Sequence, residues 1–258
     1  MKICYSSRSY ALYSWEYFEK QQKALNVECV ELFGGTPHIW VDHMGYVIPE
    51  ELRNSTLNLV MYTPKPYNYS LCAVDPDQKQ KTAAYYRNCV NAAAELGVSD
   101  MTVTFSGGLL DAPDEQKHEN AVNQLIELAS YAADCNMNIH IAPNGSPKES
   151  EAFDLESVCR IMNEVSGENI FVLLDTSAME GRGETAAQWS QKLGDRIRGV
   201  RIRGTGVPLD KHVDDIRQIG PIETFYLELD DDDYWDSPDK WEASSLEHIR
   251  SVTKEIIT

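Results

Sequence analysis

The chain has 258 residues, 42% of them hydrophobic and 25% charged, a balance that buries a sizeable core and keeps a globular surface wet. Its 41 acidic residues against 23 basic give a formal net charge of −18, which speaks against a nucleic-acid partner, since phosphate binding needs a basic stripe and none is visible. No apolar run approaches a membrane span and "MKICYSSRSY" lacks the apolar stretch of a signal peptide, so no membrane association is expected and the expected location is the cytoplasm.

Strand-like apolar runs alternate with longer helical patterns along the whole chain. Met1–Ser6 reads as a strand, followed by a helix around Tyr13–Leu25. Val27–Phe33 is the second strand, a weak short helix lies near Ile48–Asn54, and Thr56–Tyr62 is the third strand. A helix over about Lys79–Leu96 places Ala83, Tyr86, Val90, Ala93 and Ala94 on one face. Val98–Phe105 precedes a helix from about Asp114 to Cys135, with Ala121, Leu125, Leu128, Ala129 and Ala132 inward. Met137–Ile141 leads to Asp154–Val165, where Asp154 offers an N-cap. Ile170–Leu174 leads to Thr185–Leu193, Ile197–Ile202 to about Asp210–Gln218, and Thr224–Leu229 to Pro238–Ile257.

Regular strand–helix alternation implies a parallel sheet. Eight such units with short connections predict one α/β domain over residues 1–258, a single (β/α)₈ barrel. An open doubly wound sheet would carry a glycine-rich phosphate turn after the first strand, and "YSSRSYALYS" has no glycine. The six cysteines, Cys4, Cys29, Cys72, Cys89, Cys135 and Cys159, form no CxxC pair and read as reduced core thiols.

A barrel carries its chemistry at the C-terminal ends of its strands. The second strand brings Glu31 and then His38 and Trp40, and the third brings Tyr62, Tyr67, Asn68 and Tyr69. The sixth ends on Asp175 after an apolar run; the eighth carries Glu228 between two leucines, with an acidic loop, Asp230 to Asp233, just beyond. Carboxylates that end buried strands are costly unless paired, so each either caps a helix, meets an arginine or does chemistry. The acidic loop reads as solvated, and His38 as either a packing residue or a hydroxyl-binding one. In "NIHIAPNG" the corresponding position on the fifth strand is Ala142, a methyl group with no chemistry.

At these residues the chain resembles the xylose isomerase-like TIM barrels, the superfamily of sugar isomerases, ketose 3-epimerases and family 2 AP endonucleases, and within it the fructoselysine 3-epimerases. "VELFGGTPH" is similar to that group's second strand, "YTPKPYNYSL" to its third-strand segment and "QKLGDRIRGVRI" to its approach into the seventh strand. The resemblance implies a divalent metal (Mn, Mg, Zn or Co) held by a Glu, an Asp, a His and a Glu on strands five to eight, with the two glutamates moving protons beside a sugar carbonyl. Carried over, Asp175 and Glu228 match two of the ligands, whereas Ala142 stands for the strand-five Glu and Arg201 for the strand-seven His. Ala178 stands where the family often has a substrate-binding His, and "RIRGTGVPLD" leaves almost nothing of the long loop after strand seven.

The expected site is therefore a remnant with no metal and no other cofactor, in which Asp175 and Glu228 face a guanidinium, that of Arg201 or of Arg203 if the alignment slips. A small-molecule carbohydrate is the expected partner, with Glu31, His38, Trp40, Tyr62 and Arg201 lining its cleft; pairing of identical chains stays open. Two functions remain: a carbohydrate-binding member that has lost the ancestral chemistry, and an active metal-independent epimerase or isomerase using Glu228, with Asp175 or another group, as acid and base.

Overall fold

The computed structural model describes residues 2–27, 29–145, 149–203, 222, 224–228, 238–240, 242–244, 246–247 and 250. In chain order, β1 (Lys2–Ser6) passes through a 3₁₀ turn (Ser7–Tyr10) into α1 (Trp15–Ala24). Next come β2 (Cys29–Gly34), a hairpin of β3 (Trp40–Val41) and β4 (Tyr46–Val47), and the one-turn α2 (Glu50–Arg53). β5 (Leu59–Pro64) precedes α3 (Pro76–Glu95), β6 (Asp100–Val103) precedes α4 (Asp114–Asp134), and β7 (Asn138–Ile141) precedes α5 (Leu155–Glu164). β8 (Ile170–Asp175) runs into α6 (Thr176–Glu180) and α7 (Ala186–Leu193), and β9 (Ile197–Arg203) and β10 (Thr224–Glu228) complete the strands. Eight strands close in the order β1-β10-β9-β8-β7-β6-β5-β2 with parallel pairing. The fold is the expected (β/α)₈ barrel.

Local signals explain most of the helix starts. Asp75, Asp154 and Thr185 each accept a backbone N–H from three residues on, and Ser157 and Gln188 answer with their own side chains to complete two capping boxes. α4 buries Ala121, Leu125, Leu128, Ala129 and Ala132 as its periodicity dictates. α3 is rotated from the expected face: Thr82, Tyr85, Cys89 and Ala92 are buried with Tyr86, Val90 and Ala93, while Ala83 is half-buried and Ala94 exposed. Large rings set that orientation, because Tyr85 stacks on Tyr69 with centroids 4.2 Å apart. The β3–β4 hairpin lies where the sequence offers only weak periodicity.

The barrel interior is layered. Cys4, Cys29, Met61, Leu173 and Tyr226 come from five strands and form one apolar cluster, which only the inside of a closed barrel can assemble. Gly199 makes room there, since a Cβ on it would lie 2.9 Å from both Leu173 Cδ1 and Tyr226 Cε2. In the same layer the reading of all six cysteines as thiols is corrected. Cys4 and Cys29 are register partners on neighbouring strands and form a disulfide, Cα–Cα 4.8 Å. Register is invisible to cysteine spacing, and so the pairing could not be read from it. Cys72, Cys89, Cys135 and Cys159 are free. No helix among the described residues is long and apolar enough to cross a membrane. The expected helix over Asp210–Gln218, the acidic loop Asp230–Asp233 and the short loop after Arg203 lie outside the described residues, as does most of Pro238–Ile257.

Candidate functional site

Two residues beyond the apolar layer, the inward positions change character. Alternation along β2 takes Cys29 to Glu31, along β5 Met61 to Thr63, along β8 Leu173 to Asp175, along β9 Gly199 to Arg201 and along β10 Tyr226 to Glu228. Arg201 and Asp175 are register partners on adjacent strands. Each of Glu31, Asp175, Arg201 and Glu228 is at least 96% buried.

Arg201 holds the layer together. Its Nη2 donates to Glu31 Oε1 and, at 3.2 Å, to Thr63 Oγ1, and its Nε lies 3.5 Å from Glu228 Oε2. Thr63 also donates to Glu31 Oε1 and accepts from Thr102 Oγ1 at 3.0 Å. Arg8, on the turn after β1, donates Nη1 to Glu228 Oε1. Asp175 Oδ1 accepts the Ala178 N–H at 3.2 Å, and so ties the end of β8 to the first turn of α6. Burial works against the charge on Arg201, but Glu31, Glu228 and Asp175 outweigh it and hold the guanidinium above its ordinary pKa. Two buried atoms of the layer, Arg201 Nε and Glu31 Oε2, have no hydrogen-bond partner among the described residues; they suit a hydroxyl that donates to one and accepts from the other.

The sequence-predicted residues divide into two groups. Glu31, Asp175, Arg201 and Glu228 come together, with Ala142 buried at the end of β7. His38, Trp40 and Tyr62 are placed elsewhere. The His38 ring is packed against Trp15 and Phe18, with Nδ1 3.3 Å from Ser7 Oγ and Nε2 3.1 Å from Tyr13 O. Burial pushes its pKa down to about 4, so it is neutral near pH 7. Tyr62 sits between the inward Met61 and Thr63 and points outward toward Cys89, and burial raises its phenol well above the usual range. Trp40 stands on the hairpin, paired with Val47 and 42% exposed. Sequence reasoning missed Arg8 and Thr63; period-2 alternation from Met61 points at Thr63, whereas Arg8 lies on the 3₁₀ turn past β1.

Around the C-terminal mouth, the loops after β5 and β6 and residues Gly145 and Glu149 border a cleft of about 940 Å³, with Tyr67, Asn68 and Tyr69 on one side and Ser106 to Leu110 on the other. Aromatic faces beside amide and hydroxyl groups suit a polyhydroxylated ligand. A divalent cation is a poor fit to the charged layer. Ala142 offers no donor, and no group of three or more His, Cys, Asp or Glu among the described residues is arranged to hold a metal. A cation beside Asp175 and Glu228 would also meet the Arg201 charge, a repulsion of about 4 kcal/mol per pair of unit charges at close range even with substantial screening.

Residues 20–250 match the model of the xylose isomerase-like TIM barrel family. The fructoselysine 3-epimerase of Shigella flexneri is 21% identical over 204 residues, 76% of this chain and 74% of that protein. Among solved structures, D-allulose 3-epimerase from Methylomonas sp. superposes with a TM-score of 0.79 at 16% identity, covering 98% of both chains. The IOLI protein with a bound zinc atom superposes with a TM-score of 0.74 at 15% identity, covering 100% of this chain and 98% of that one. Closed eightfold topology and a match over most of the length agree: the chain belongs to the xylose isomerase-like TIM barrel family.

Proposed function

We propose that this protein is a sugar isomerase/epimerase-family barrel, one domain over residues 1–258, in which a buried guanidinium has taken the place of the family's metal, and that it binds a small carbohydrate at the C-terminal mouth. One observation carries the reading: Arg201, where the resemblance puts a metal-ligating histidine, is buried among Glu31, Glu228 and Asp175, while Ala142 stands where it puts a glutamate. The relatives act on sugars by name, and the cleft beside Tyr67 and Tyr69 is large enough for one.

In this reading the chain's own residues bind rather than turn over. Glu228 is held between the guanidinium groups of Arg8 and Arg201, so both of its oxygens are engaged by cations. Glu31 and Asp175 accept hydrogen bonds and orient hydroxyl groups. Proton transfer beside a carbonyl would need one of these carboxylates released from its cation.

The test combines elemental analysis of the purified protein with thermal-shift titration of ketoses and aldoses. The expected result is no stoichiometric metal, no change in Tm with EDTA, and a Tm rise with at least one sugar. The paired change Ala142→Glu and Arg201→His should create measurable Mn²⁺ or Zn²⁺ affinity. One equivalent of metal in the unmodified protein, lost together on replacing Asp175 and Glu228, would overturn the reading.

A further inference from the structure

We propose that the ligand of this barrel mouth carries an anionic group, a phosphate or a carboxylate on a sugar-sized body, and that Lys65, resting on the Phe33 and Tyr67 rings, receives it, with Arg8 adding positive charge nearby. The inference deepens the carbohydrate reading above and rests on it for the body of the ligand, but not for its charge.

Phe33, Lys65 and Arg8 form the next step outward from the buried charges. Inward alternation continues from Glu31 to Phe33 on β2 and from Thr63 to Lys65 just past β5, and Arg8 follows Ser6 beyond β1. Lys65 Nζ lies 5.3 Å from the Phe33 ring centroid and 4.4 Å from that of Tyr67. Arg8 Cζ lies 5.9 Å from the Phe33 centroid, and its side chain is 34% exposed. Phe33 is fixed beside both because its backbone N–H donates to Ser7 Oγ at 2.9 Å. Gly35 allows the close packing: a Cβ there would sit 3.0 Å from the Phe33 ring and 3.5 Å from Lys65 Cδ.

What sets Lys65 apart is the pair of rings it rests on, since Lys2, Lys20, Lys79, Lys192 and Lys240 also show no carboxylate partner among the described residues. Lys23, Lys81 and Lys117 each reach a carboxylate. Lys65 has no carboxylate partner among the described residues and rests on two aromatic faces. A ring face holds an ammonium in place without neutralising it, so a full positive charge is kept at the edge of the cleft that Tyr67 lines. The cleft's own carboxylates, Asp75 and Glu149, repel an anion, which leaves the Lys65–Arg8 end as the place that attracts one. A neutral sugar gains little from an ammonium there, whereas a phosphate or carboxylate gains a charge-assisted hydrogen bond.

The experiment is calorimetric titration of the full chain with matched pairs, fructose against fructose 6-phosphate and glucose against glucuronate, and with inorganic phosphate alone. It is run at two salt concentrations on the unmodified protein, Lys65→Gln and Lys65→Glu. The expected result is about tenfold tighter binding of one anionic member than of its neutral parent, weakened by salt and lost in both variants while the neutral sugar is unaffected. Should Lys65→Glu fail to fold, Lys65→Gln and the salt dependence still decide. Neutral sugars binding as tightly as their anionic counterparts would overturn this inference and leave the carbohydrate reading standing. Phosphate binding that depends on Lys65, with no sugar bound, would support the anion site and overturn the carbohydrate reading. No binding of any probe would overturn both.

Discussion

Two layers of the same barrel interior, two residues apart on each strand, are built on opposite principles. The lower one, Cys4, Cys29, Met61, Leu173 and Tyr226, is apolar and closed by a disulfide. The upper one sets three carboxylates around Arg201, with Arg8 at its edge. Burying apolar bulk stabilises a fold directly, at about 25 cal/mol per Å². Burying ion pairs does not, because desolvation consumes most of the attraction. A barrel that needed only stability would repeat the lower layer. In the reading proposed above the upper layer is the ligand site, held in balance by its cations rather than by packing.

Removing a cation should therefore produce the largest effect. Arg201→Ala leaves Glu31 and Glu228 without their shared partner in the interior, and urea unfolding should show a loss of about 3–5 kcal/mol. Adding Glu31→Gln should recover part of it; no recovery would mean that the layer is held by packing after all. In the lower layer, Cys4→Ala with Cys29→Ala should cost about 3 kcal/mol for a loop of this size. Alkylation of the denatured, unreduced protein should label four of its six cysteines, and labelling of all six would remove the disulfide from the comparison.

Glu242 sharpens the contrast, as a buried carboxyl with neutral partners. It accepts from Tyr10 Oη and from Gln22 Nε2, and burial raises its pKa from 4.5 to about 7. The native state therefore holds the proton more tightly than the unfolded chain. That contribution is full below about pH 4.5 and fades as pH rises through 7, a loss of roughly 2 kcal/mol between about pH 5 and pH 8. Glu242→Gln should flatten this slope in a stability–pH series; an unchanged slope would assign it to other groups. The smallest effect belongs to Trp40→Ala on the exposed hairpin, under about 0.5 kcal/mol in stability, with no loss of sugar binding if the ligand sits over Arg201. A marked loss of binding would move the ligand toward the hairpin.

How much of this was legible in the sequence varied with periodicity. The barrel and the strand ends follow from alternation, which survives without tertiary information, whereas the meeting of Asp175, Arg201 and Glu228 came from the resemblance, because alternation alone puts Arg201 and Arg203 on one face. The same rule, applied strictly, puts Tyr62 outside, because Met61 and Thr63 on either side of it face in. Being the residue at a strand end was a weaker guide than being on its inner face. His38 and Trp40 follow a turn, where no period applies, and their neighbours are set by long-range packing against α1 and by a hairpin. Arg8 was hidden for the same reason, lying on a 3₁₀ turn whose partner is 220 residues away in sequence.

That separation has a consequence for how the protein is made. β1 pairs with β2 on one side and β10 on the other, and Tyr5 and Tyr10 wait for Glu242. A ribosome adding about 5–20 residues per second releases Arg8 many seconds before it reaches Glu228. Throughout that interval the nascent chain carries a strand with one bare edge and a site that lacks its counter-charges. The charged layer is thus among the last parts of the molecule to exist, and its completion coincides with closure of the barrel seam.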